Sequence, residues 1–105
     1  MSARNYFSKF EVSEVPRHIA MGARISLLEN DSQTAETLLR RAVSIADQKG
    51  GADNKYVGEY CRYFLSIINR DGKHEIYRNR AIELSVSSVV KDSLPLPSND
   101  VLSEF

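Results

Sequence analysis

Residues 23–46 read Ala23-Arg24-Ile25-Ser26-Leu27-Leu28-Glu29-Asn30-Asp31-Ser32-Gln33-Thr34-Ala35-Glu36-Thr37-Leu38-Leu39-Arg40-Arg41-Ala42-Val43-Ser44-Ile45-Ala46. Two helical registers meet across one break in this stretch. Before the break, Val15, Ile19, Gly22, Ala23, Ser26 and Leu27 recur at three- and four-residue steps, the spacing of one helix face. After it, Ala35, Leu38, Leu39, Ala42, Val43, Ile45 and Ala46 do the same. Between them, Asn30 tolerates the left-handed conformation that ends helices, and Asp31 or Ser32 can cap the next one. The stretch predicts a helical hairpin, with helices over 13–29 and 33–48. Ser13 is the expected N-cap of the first, and Pro16 falls in its opening turn, where a missing N–H costs little. Gly22, Ala23 and Ser26 make that helix's face small enough for a second helix to approach closely.

The reading extends toward the C-terminus. Gly50-Gly51 ends the second helix. Asp53 suits the cap of a third, over 54–69. Tyr56, Val57, Tyr60, Cys61, Tyr63, Phe64, Leu65, Ile67 and Ile68 give this helix more than one apolar stripe. A helix of that kind is either central or has a face reserved for a partner. Arg70-Asp71-Gly72 is the next turn. A fourth helix starts near Lys73, with Ile76, Tyr77, Ala81, Ile82 and Leu84 as its stripe. The β-branched run after Leu84 suits a strand, but a lone strand has nothing to pair with, so the helix is expected to continue to Val90. Pro95 and Pro97 then bar helix. The expected fold is all-α: four main helices as two antiparallel hairpins, within a single domain over 1–91. An extended or disordered acidic tail over 92–105 would follow. Tyr6, Phe7 and Phe10 form a further aromatic cluster before the first helix.

Composition narrows the function. The chain has 105 residues, long enough for one small domain. Fourteen bases balance fourteen acids, so no overall field draws the protein to nucleic acid or a membrane. The balance is uneven along the chain: residues 92–105 hold Asp92, Asp100 and Glu104 and no base, a net charge of −3 against +3 for residues 1–91. No apolar run reaches the ~18 residues of a membrane span. Cys61 is the only cysteine, so no intrachain disulfide forms, and it reads as a buried small hydrophobe. Met1-Ser2-Ala3-Arg4-Asn5-Tyr6 lacks the apolar core of a leader. A cytoplasmic setting is expected.

The first unit, 16–49, resembles a tetratricopeptide repeat, a 34-residue helical hairpin with small residues where its helices cross. Ala23 fits the small residue late in the first helix, Asn30 the turn, Ala35 the second small residue, and Leu39 the bulky apolar one. Ala42 and Val43 fit the alanine and apolar pair that follow. Ser26 stands where the pattern has an aromatic, Gly22 where it has a large apolar residue, and Asp47 where it closes with proline. A second unit echoes the first weakly: 40–46, Arg-Arg-Ala-Val-Ser-Ile-Ala, against 79–85, Asn-Arg-Ala-Ile-Glu-Leu-Ser. The resemblance implies stacked hairpins that bind other proteins. A different small helical bundle is the other architecture the pattern allows.

No chemical constellation stands out. His18 and His74 lack partners at metal-ligand spacing, and the pairs Glu11/Glu14 and Asp71/Glu75 sit at helix starts, where the helix dipole favours carboxylates. No phosphate loop or nucleophile motif is present. The expectation is therefore a non-enzymatic protein–protein interaction module without a cofactor or metal: an adaptor, chaperone-like or regulatory protein that binds a protein partner or a second copy. Tyr56, Tyr60, Tyr63 and Phe64 are the expected docking face, because tyrosine joins apolar area to a polar tip. The competing reading is a small nucleic-acid-binding regulator. It would use Arg40, Arg41, Arg78 and Arg80 as a basic patch, with Tyr63 and Tyr77 for stacking.

Overall fold

The structure, a computed structural model, describes residues 13–86. They form four helices: α1 (Pro16–Leu28), α2 (Ser32–Lys49), α3 (Ala52–Asn69) and α4 (His74–Ser85). Consecutive helices pack on one another as antiparallel hairpins, and α3 also reaches α1. The all-α reading is therefore the fold. The aromatic cluster at Tyr6, Phe7 and Phe10, the continuation toward Val90 and the acidic tail lie outside the described residues.

The breaks follow backbone chemistry. Asn30 sits at φ 61° and Arg70 at φ 52°, so each turns the chain in the left-handed region that ends helices. Gly50 and Gly51 sit at φ 66° and 91°, a conformation that costs glycine little. Asp31 caps α2 by accepting the Thr34 N–H at 3.1 Å. Two other caps differ from expectation. The N-cap of α1 is Val15, while the Ser13 hydroxyl accepts the Val15 N–H at 3.1 Å. The N-cap of α3 is Gly51, and Asp53 lies in the first turn. There its carboxylate meets Arg17 of α1 at 2.5 Å instead of a backbone N–H.

Small residues set the crossings. Ala23, Ala35 and Ala42 have no exposed surface. Ser26 is buried as well and donates its hydroxyl to the Gly22 carbonyl at 3.1 Å, which satisfies a group that would otherwise be orphaned. At the α2–α3 crossing, a Cβ on Gly58 would lie 3.9 Å from Ala46 Cβ and 3.2 Å from the Arg62 guanidinium. Glycine there leaves room for the Arg62–Asp47 pair, which spans the same crossing at 2.6 Å.

The two hairpins are not equal copies. α1 and α4 have 13 and 12 residues, while α2 and α3 have 18 each. Among the described residues the long pair lies in the middle, with one short helix packed on each side of it.

Candidate interaction site

The four aromatic residues expected to face a partner lie in the core. Tyr56, Tyr60, Tyr63 and Phe64 are each at most 3% exposed. Tyr60 and Phe64 meet edge-on at 5.0 Å, and Tyr63 and Phe64 at 5.1 Å, a favourable aromatic geometry. Arg17 covers the Tyr56 ring from 5.8 Å. The docking-face reading is corrected on this point. α3 is apolar on several sides because it is central, with α1, α2 and α4 packed around it. Burial pushes the Tyr60 and Tyr63 hydroxyls above the usual phenol range, against the lowering effect of Arg24 and Arg78 respectively. Burial likewise pushes the Cys61 thiol up to about 12, so it is not poised as a nucleophile.

The four arginines of the basic-patch reading are divided among different surroundings. Arg40 holds Glu36 through Nε at 3.1 Å and Nη2 at 2.7 Å, and lines a cavity of about 360 Å³ between α2, α3 and α4 with Arg62, Asn69, Asp71 and Tyr77. Arg41, its neighbour in sequence, points into another cavity with Glu14 and Lys49. There it donates to the Ser13 carbonyl at 3.1 Å, while Lys49 donates to the Glu14 carbonyl at 2.8 Å. Arg78 Nε is buried without a hydrogen-bond partner. Arg80 lies 4.0 Å from Glu59 and 5.9 Å from the Tyr77 ring centroid. Arg62, absent from the basic-patch reading, is tied to Asp47 at 2.6 Å and Glu59 at 3.5 Å. Carboxylates thus neutralise much of this charge. Of the two stacking tyrosines, Tyr63 is buried and Tyr77 is half-buried.

In the groove between α2, α3 and α4, Asp71 accepts hydrogen bonds from the Ser66 hydroxyl and, at 2.9 Å, from the Lys73 N–H. These bonds hold its carboxyl below the usual carboxylate range. The contacts tie the α3–α4 turn together.

The feature that composition did not single out lies on α1. Met21, Ile25 and Leu28 follow a four- then three-residue step, so they share one side of the helix. Leu28 is 77% exposed and Met21 48%. With Ala20, Arg24 and Tyr60 they line an open, mainly apolar cavity of about 190 Å³. Arg24 makes no ion pair with any described residue, unlike Arg17 on the same helix. The sequence signal was present, but Met21, Ile25 and Leu28 sit beside the stronger small-residue stripe that faces α2.

Among the described residues no group of three potential ligands could hold a metal, and no helix is long and apolar enough to cross a membrane. Comparison with protein-family models, with curated proteins and with solved structures found no match.

Proposed function

We infer that this chain is a non-enzymatic protein-interaction module, a small cytoplasmic adaptor or regulator built on tetratricopeptide-like hairpins. The observation that carries the reading is the Met21–Ile25–Leu28 stripe. It is an apolar helix side exposed beside Arg24, which makes no ion pair among the described residues, on a helix whose opposite side is sealed in the core. Isolated exposed apolar residues are ordinary, but a lined, concave cluster is the usual form of a docking surface. The hairpin resemblance supports the same class, since the positions carrying it are the small residues of the helix crossings.

The test is affinity capture from source lysate, with and without nuclease, comparing the wild type with Leu28→Ser. Leu28 is exposed, so this substitution leaves the melting temperature within about 4 °C, as expected for surface changes of ~0.5 kcal/mol. The module reading expects a protein that survives nuclease and is lost with Leu28→Ser. Partners that vanish on nuclease treatment and ignore Leu28→Ser would instead favour the nucleic-acid reading.

A further inference from the structure

We propose that the α1 groove takes an acidic segment of another protein, one that places apolar side chains on Met21, Ile25 and Leu28 and a carboxylate on Arg24. This rests on the interaction-module reading and names the chemistry of the partner. Pro16–Leu28 contains Arg17, His18 and Arg24 and no acid. Arg17 is held by Asp53 across the α1–α3 contact, whereas Arg24 makes no ion pair with any described residue and lines the groove directly. An arginine on the wall of an apolar cavity is a ready partner for a carboxylate, because docking removes water from both and strengthens their attraction.

A second copy of the chain fits less well. An isologous antiparallel pairing of α1 with α1 would put two Arg24 guanidinium groups on the same flank of the contact, where like charges repel. A basic partner meets the same difficulty. The cavity floor also limits what can enter. Ala20 and the buried Tyr60 ring close its base, and about 190 Å³ holds one or two aliphatic side chains. The fitting ligand is therefore a short segment with one or two apolar anchors and an acid beside them, rather than a broad protein face.

The experiment uses the full-length chain and a phage-displayed library of random 12-residue peptides. Wild type is expected to enrich peptides that combine Asp or Glu with Leu, Ile, Met or Phe. Selection on Arg24→Glu should lose the acidic enrichment and keep the apolar one, and the wild-type winners should bind this variant at least tenfold more weakly. Met21→Ser with Leu28→Ser should lose both. Winners without acid that still compete at Leu28 would overturn the acidic class while leaving the module reading standing. Recovery of no peptide would overturn both. If only a full-length variant with Asp92, Asp100 and Glu104 replaced by lysine recovers acidic peptides, the chain's own tail competes for the groove, and the external partner is overturned. A dimer in sedimentation that Leu28→Ser dissolves would overturn it in favour of a second copy.

Discussion

Tyr63 shows how one side chain carries two opposing effects. Its ring fills the core against Phe64, while its hydroxyl is buried without a hydrogen-bond partner. Truncation to alanine removes the ring and leaves a cavity, at a cost of about 3–5 kcal/mol. Tyr63→Phe keeps the ring and removes only the unsatisfied hydroxyl, whose desolvation cost is about 1–3 kcal/mol. Tyr63→Phe should therefore be neutral or stabilising in urea unfolding, and Tyr63→Ala severely destabilising. A clear loss in Tyr63→Phe would show that the hydroxyl is satisfied after all. Cys61 gives a second prediction at this scale. The folded state holds its thiol protonated up to about 12, against an ordinary value of 9.0. Below pH 9 both states keep the proton and stability is unaffected. Above pH 9 the unfolded chain releases it first, so stability falls as pH rises, by up to ~1.4 kcal/mol per pH unit until the folded value is reached. Tyr60 adds to the same alkaline limb from its own ordinary value of 10.0. Urea titrations between pH 8 and 10 should give a steeper decline for wild type than for Cys61→Ala. Parallel curves would remove the buried-thiol account. The constant cost of the Cys61→Ala cavity cancels in that comparison of slopes.

At the scale of the element, the hairpin and its turns were legible because each depends on local chemistry. Asn30 can adopt positive φ, Asp31 can accept the Thr34 N–H, and Gly50-Gly51 cannot easily continue a helix. The misreadings have the opposite origin. Asp53 has the right chemistry to cap α3, but Arg17 lies 36 residues away in sequence and claims it across a tertiary contact. The aromatic residues of α3 were ambiguous for the same reason. An all-round apolar helix is equally consistent with a centre and with a surface, and only the positions of its neighbours decide between them. The groove on α1 was harder to see, since three apolar residues at helical spacing are also what a core face looks like. Arg70 offers a local test. A non-glycine residue at φ 52° pays roughly 1 kcal/mol for the left-handed region. Arg70 is also exposed, so little packing is lost with its side chain. Arg70→Gly should raise stability by up to ~1 kcal/mol in urea unfolding. A destabilised variant would mean that its side chain makes a contribution to the α3–α4 turn larger than the strain it carries.

At the scale of the molecule, the helices form a chain of neighbours, and stability should follow that order. α2 and α3 have partners on both sides, and α3 alone buries Tyr56, Val57, Tyr60, Cys61, Tyr63 and Phe64. α4 is an end helix. Ala81 is its one fully buried residue, Tyr77 and Leu84 pack only partly buried against the core, and Ile76 and Val86 are exposed. Its N-cap, Lys73, makes no side-chain cap bond. An element held by so little apolar burial opens before the rest of the fold. Amide exchange of the full-length protein should therefore show α4 amides opening at least ~1.4 kcal/mol below the slowest amides of α3, a tenfold difference in protection. α1 is also an end helix, but Ile19, Ala20, Ala23 and Leu27 anchor it, so its inward amides should be protected more than those of α4. This asymmetry matters for the proposed groove. A docking surface on α1 stands on a helix fixed by its buried side, so a ligand meets a preformed shape and does not have to order it. If α1 exchanged as fast as α4, the groove would form only in a fraction of molecules, and binding to Arg24 and Leu28 would be weakened by that fraction. Equal protection across α3 and α4 would instead show one cooperative unit, with the end helix held by more than the burial of Ala81.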